Sequence, residues 1–130
     1  MPPRAASPVR AVPQVSPEAS DTLRTTVRVD ADEQVFPGHY PGFPIFPGVC
    51  VVEQVRRSAV ATAPAPGGRV TLAAIESTRF LSPVFPGDRL TVDLTWRRRG
   101  THWRCDAVAS TGRGRAATVR LRFDERSPQC

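Results

Sequence analysis

Phe36-Pro37-Gly38-His39-Tyr40-Pro41-Gly42-Phe43-Pro44-Ile45-Phe46-Pro47-Gly48 runs directly into Val49-Cys50-Val51-Val52-Glu53. Proline fixes φ and glycine frees it, so alternating them stiffens a loop without letting it become helix or strand. The loop presents one imidazole, ends at a Pro-Gly step suited to start a helix, and is followed by a carboxylate inside an apolar run. A histidine and a glutamate held at fixed separation are the ingredients of an acid/base site.

Outward from that stretch, the segment from Val49 to Ala63 is bounded by Pro47-Gly48 in front and by Pro64-Ala65-Pro66-Gly67-Gly68 behind. Its length predicts one buried helix, with Val52, Val55 and Ala59 on one face and Arg56 and Arg57 on another. Before the loop, Leu23, Thr25, Val27 and Val29 alternate with Arg24, Thr26, Arg28 and Asp30, the period of a half-buried strand. Val9, Ala11 and Val15 suggest a short edge strand in a Pro-rich stretch. After Gly67-Gly68 the chain reads as strands: Val70 to Phe80, then Leu90, Val92, Leu94 and Trp96 alternating with polar residues. Arg99-Gly100-Thr101 turns into Trp103, Cys105, Ala107 and Ala109, and Thr111-Gly112-Arg113-Gly114 turns into Ala117, Val119, Leu121 and Phe123. Many strands and one early helix predict an α+β fold, an antiparallel sheet wrapped on a single apolar helix. Residues 1-130 are expected to form one domain, with flexible ends at 1-8 and 125-130.

Composition narrows the function classes. Hydrophobic content of 40% and charged content of 23% are those of a globular protein. No apolar run approaches a membrane span and the first residues lack a secretory apolar core, so the expected address is cytoplasmic with no membrane partner. The three cysteines, Cys50, Cys105 and Cys130, have neither ligand spacing nor an even count, and are read as reduced thiols, with no metal site. All 18 basic residues are arginine and the net charge is +6, which favours an acidic partner. Arg97-Arg98-Arg99 is the one tight basic run. Beside Gly100 it reads as a solvated hairpin tip, and no nucleic-acid-binding signature accompanies it.

His39-Tyr40-Pro41-Gly42-Phe43-Pro44-Ile45-Phe46-Pro47-Gly48-Val49 with Glu53, and a second block at Arg79-Phe80-Leu81-Ser82-Pro83-Val84-Phe85-Pro86-Gly87-Asp88-Arg89-Leu90, resemble the FabZ-type (3R)-hydroxyacyl-[acyl carrier protein] dehydratases. The similarity spans about Pro8 to Phe123. It implies the hotdog fold, in which a curved antiparallel sheet wraps one central helix and two protomers join their sheets. It also implies catalytic His39, Glu53 and Gly48, with the His of one subunit facing the Glu of the other. Tyr40, Phe43, Phe46, Val49 and Phe80 are the implied substrate-binding residues. The implied partners are an acyl carrier protein and a second copy of the chain, a heterodimer being the alternative. No cofactor is implied, because the phosphopantetheine belongs to the substrate.

The chemistry gives each group a task. Elimination of water from a 3-hydroxyacyl thioester needs a base at C2, an acid for the departing hydroxyl and a donor to the enolate-like oxygen. His39 suits the base. Glu53 among valines is expected to hold a proton by desolvation, with an ion pair to Arg56 as the rival expectation. Gly48 offers a backbone N–H at a helix N-terminus. The chain departs from the family in having Arg57 where a Gln is usual and bulky Phe43 and Phe46 beside the motif. These departures suggest a specialised dehydratase of polyketide, other secondary or fatty-acid metabolism. The competing readings are a hotdog thioesterase and a non-catalytic dehydratase-like subunit of a heterodimer.

Overall fold

A computed structural model of the chain describes residues 13–16, 22–29, 48–64 and 70–125. The elements are β1 (Gln14–Ser16), β2 (Leu23–Arg28), α1 (Gly48–Thr62), β3 (Val70–Phe80), β4 (Arg89–Arg99), β5 (His102–Thr111) and β6 (Gly114–Glu125). The strands form one antiparallel sheet in the order β1-β2-β4-β5-β6-β3, and α1 lies against it. This is the α+β architecture expected from the sequence. β1 is a short edge strand through Val15, whereas Val9 and Ala11 lie outside the described residues.

The period-2 pattern builds the core. Val27, Leu90, Val92, Leu94, Cys105, Ala107, Ala109, Ala117, Val119, Leu121 and Phe123 are buried, while the residues between them are half-buried or exposed. Small side chains on β5 and the start of β6 leave room for the helix. Cys50, Val51, Val55 and Ala59 of α1 fill that room. Val52, expected on the buried face, is only half-buried. The face turned inward also carries Gln54, Ser58 and Thr62, which hydropathy alone would leave outside. Two of these are satisfied locally: the Thr25 hydroxyl donates to Ser58 Oγ at 2.7 Å, and Thr62 Oγ1 donates to the Ser58 carbonyl at 3.0 Å and accepts from Trp96 Nε1 at 3.1 Å. A buried hydroxyl is tolerated when it is hydrogen-bonded.

The Arg97–Arg99 run lies at the β4–β5 turn, where Gly100 has φ of +61°. Arg98 donates to Glu125 at 2.7 Å and stacks over Trp103 at 5.1 Å, so part of the run is engaged within the chain. The Trp96–Thr62 bond places this turn beside the C-terminal end of α1, opposite Gly48. Cys50 and Cys105 are buried thiols, as the sequence reading expected, and Cys130 lies outside the described residues. Burial first, then the charge of Asp106, pushes the Cys105 thiol up to about 12, so it stays neutral.

β3 is an outer strand of the sheet and is irregular. Its register with β6 shifts at Ala73 and again at Glu76. Each extra residue bends the strand and reverses its inside-outside parity. A third shift, between Ala109 and Ser110 of β5, leaves Ala116 unpaired on β6. The Ala116 carbonyl instead accepts from Leu81 N at 2.8 Å and Ser82 N at 3.2 Å. That bulge fixes the chain leaving β3.

Candidate active site

Gly48 begins α1, so its N–H is among the first-turn amides without an intrahelical acceptor. The end of β3 crosses directly over it. A Cβ on Gly48 would lie 2.7 Å from Phe80 Cζ and 3.0 Å from its Cε1, a separation that real Cβ atoms do not adopt. The absence of a side chain on Gly48 lets the tip of the Phe80 ring close down on the helix start. Phe80 remains 53% exposed, with one side of its ring free to meet another molecule.

The segment after Phe80 is held from three sides. Besides the two amides on Ala116, Ser82 Oγ donates to the Arg115 carbonyl at 2.8 Å. Asp88 closes the turn by accepting from Phe85 N at 2.7 Å, and Arg113 grips both Asp88 oxygens at 2.9 and 2.5 Å. Gly87, with φ of +85°, donates to the Val29 carbonyl at 2.7 Å, and Val29 N donates to Asp88 O at 2.8 Å. The Arg113 fork is the main reason the Asp88 carboxyl lies below its ordinary value. So Pro86-Gly87-Asp88 is a structural turn. Between this segment and the helix start is a cavity of about 480 Å³, lined by Gly48, Val51, Phe80, Leu81, Ser82, Pro83 and Val84. It is predominantly apolar, suited to an alkyl or thioester group rather than an ion.

Glu53 lies in the second turn of α1 and is not among the residues lining that cavity. Its side chain is 17% exposed and is engaged by Arg56, whose Nε donates to Oε1 at 2.7 Å and Nη2 to Oε2 at 2.8 Å. Of the two expectations for Glu53, a proton held by desolvation and an ion pair with Arg56, the ion pair is present. The same contact is the first cause of the raised pKa of Arg56. Val49, Glu53, Arg56 and Val60 follow helical spacing along one stripe, with Val49 70% and Val60 38% exposed. This stripe is turned away from the sheet face that buries Val51, Val55 and Ala59.

His39, Tyr40, Phe43 and Phe46 lie outside the described residues. Of the expected set, the fold brings Gly48 and Phe80 into contact, and places Val49 and Glu53 on the adjoining stripe. The sequence reading did not single out Val51 and Leu81 to Val84 as cavity wall. Their signal was the Ser82-Pro83 break after a long strand. Among the described residues, no group of three or more His, Cys, Asp and Glu is placed to hold a metal ion, and no helix is long and apolar enough to cross a membrane.

Among the described residues, one helix packed against an antiparallel sheet, with a glycine-opened helix start beneath the second outer strand, matches the arrangement of a hotdog-type protein. The ApeI-like family model, described as ApeI dehydratase, matches residues 15–116. A 3-hydroxyacyl-[acyl-carrier-protein] dehydratase FabZ from Desulforamulus reducens is 42% identical over 100 residues, covering 73% of this chain and 70% of its own. Two solved structures share the fold. "The Dehydratase Heterocomplex ApeI:P from Xenorhabdus doucetiae" has a TM-score of 0.70 at 21% identity, covering 90% of this chain and 100% of that one. A hot-dog-like protein from Thermanaerovibrio acidaminovorans has a TM-score of 0.70 at 17% identity, covering 83% of this chain and 82% of that one. The chain belongs to the ApeI-like dehydratase family and is a relative of the FabZ enzymes, as its His39-to-Glu53 and Arg79-to-Leu90 blocks led one to expect.

Proposed function

We propose that the chain is a hydro-lyase that converts a 3-hydroxyacyl thioester on an acyl carrier protein into the trans-2-enoyl thioester. The observation that carries this reading is the helix start: Gly48 opens α1 under Phe80, against an apolar cavity, with Glu53 little more than a turn further along. In the proposed reaction His39 removes the C2 proton, and Gly48 N–H donates to the thioester oxygen as negative charge develops. Such a donor is worth about 3 kcal/mol. Glu53 meets the 3-hydroxyl. Phe80 and Val49, with Tyr40, Phe43 and Phe46, contact the acyl chain. Elimination involves no net redox change, and the phosphopantetheine arrives with the substrate, so no further cofactor is assigned.

The reading includes a second subunit. β3 pairs with β6 on one side, and its other side has no strand among the described residues. It carries exposed Ile75, 51%, and Phe80, and leads into exposed Leu81, 45%. An open, partly apolar strand edge favours pairing with another chain. A homodimer joined there would bring His39 of the partner subunit to Glu53. The Xenorhabdus heterocomplex makes a related, non-identical partner the alternative. Exposed Arg79, Arg89 and Arg115, near the Phe80 end of the sheet, suit an acidic carrier protein, and the whole is assigned to the cytoplasm as one domain.

The test is incubation of the purified protein with 3-hydroxyacyl carrier proteins of several chain lengths, followed by intact-mass measurement. Loss of water, abolished in His39→Ala and in Glu53→Gln, is expected. Release of free carrier without loss of water would instead show thioester hydrolysis.

A further inference from the structure

The fork between Arg56 and Glu53 has geometry beyond that of an ordinary surface pair. Both guanidinium contacts are short, 2.7 and 2.8 Å, and each uses a different carboxylate oxygen. Two parallel bonds between planar groups fix orientation as well as charge. The partners sit three positions apart on one helix, so the fork forms without help from another element. The side chains are 34% and 17% exposed, which limits screening by water at the carboxylate.

Elimination makes opposite demands on such a group. A protonated Glu53 would donate a proton to the departing hydroxyl, but a carboxylate gripped at both oxygens is acceptor-only. Resting on the dehydratase reading above, we propose that Arg56 is a positioning residue that keeps Glu53 ionised and oriented to accept a hydrogen bond from the substrate's 3-hydroxyl. The proton delivered to that hydroxyl is then the one His39 takes from C2. The C2–H bond breaks toward the imidazole and its electron pair forms the C2=C3 bond. The C3–O bond breaks with its pair on oxygen, and the oxygen takes the proton back from the imidazolium. His39 ends neutral, Glu53 ends as it began, and water is the only by-product.

The charged surroundings suit this assignment. On α1, Arg57 lies one turn from Glu53. The inward faces of β4, β5 and β6 behind the helix contribute one titratable group, Cys105, which stays a neutral thiol. β1 has no charged residue, and β3 brings Glu76 and Arg79, both exposed.

The experiment compares wild type with Arg56→Met, Arg56→Lys, Glu53→Gln and the Arg56→Met/Glu53→Gln double variant, Arg56→Gln replacing Arg56→Met if the latter fails to fold. Glu53 is followed by carbon-13 NMR of its carboxylate, identified by its loss in Glu53→Gln, and dehydration is measured across pH. Removing a cation disfavours the carboxylate, so Glu53 should titrate at higher pH in Arg56→Met than in wild type. In that variant kcat should fall at least about tenfold with KM nearly unchanged, and the acid limb of the pH profile should move up. Arg56→Lys should restore part of kcat, and the double variant should be no slower than Glu53→Gln. An unmoved Glu53 titration overturns the proposal. So does an Arg56→Met enzyme faster than wild type at neutral pH with its alkaline limb moved up, because Glu53 would then be the acid that Arg56 opposes. A shifted titration in a wild-type protein that dehydrates no carrier-bound substrate would overturn the dehydratase reading while establishing the hold of Arg56 on Glu53.

Discussion

At the scale of single residues, Gly48 and Phe80 depend on each other. Any side chain on Gly48 meets the ring at 2.7 Å, so Gly48→Ala must displace Phe80 or the helix start. Because the ring is half-exposed and can swing aside, the expected loss is about 1 kcal/mol or less, read from urea unfolding. Phe80→Ala should be less harmful in the Gly48→Ala background than in wild type, because the clash is gone. A loss of the same size in both backgrounds would remove the close approach as the reason for glycine. Asp88 gives a pH-dependent prediction. Arg113 lowers its carboxyl below the ordinary 3.8, burial opposes this, and the Phe85 amide reinforces it. A carboxyl with a folded value below its unfolded value contributes stability above 3.8 that fades as pH falls through the lower folded value. Asp88→Asn should therefore flatten the decline of the urea midpoint as pH falls below about 4, while lowering the midpoint at neutral pH. A decline as steep as that of wild type would mean that other carboxylates account for it.

At the scale of elements, α1 shows what hydropathy conceals. Val55 and Ala59 were legible as buried, yet Ser58 and Thr62 share the inward face because the sheet supplies the hydrogen-bond partners Thr25 and Trp96. Side-chain pairing across elements leaves no periodic trace in a sequence. Ser58→Ala should cost about 1 to 3 kcal/mol, because it strands the buried Thr25 hydroxyl, and Thr25→Val added to it should recover part of that loss. Additive losses in the double variant would deny the coupling. The start of β3 at Val70 was read from the Gly67-Gly68 break, and its extent to Phe80 agrees with the observed strand. The bulges at Ala73 and Glu76 were not legible, since extra residues in one strand are defined only against the register of its neighbour. The alternation in β4, β5 and β6 was clean because these strands have helix on one face and solvent on the other.

At the scale of the whole molecule, the sequence offered candidate pieces of the proposed site more readily than their arrangement. Gly48 and Glu53 stood out as candidates because a Pro-Gly helix start and a carboxylate in a valine run are local features. The hold of Arg56 on Glu53 appeared only as one of two expectations, since spacing alone does not set a rotamer. The proposed assembly would use the sheet edge, where β3 leaves Ile75 exposed and has no strand on its outer side among the described residues. Ile75→Arg should lower the solution mass toward that of the 14.2 kDa monomer by light scattering and reduce dehydration in parallel. An unchanged mass would place the interface elsewhere.

In the proposed dimer the dehydratase site is shared between subunits, which subunit exchange can reveal. His39→Ala and Glu53→Gln proteins, each inactive alone, are mixed under conditions of verified exchange with a 3-hydroxyacyl carrier protein. Random exchange makes half the dimers mixed, each with one intact His39–Glu53 pair, so about a quarter of wild-type dehydration should return. No return of activity despite verified exchange would contradict the shared site.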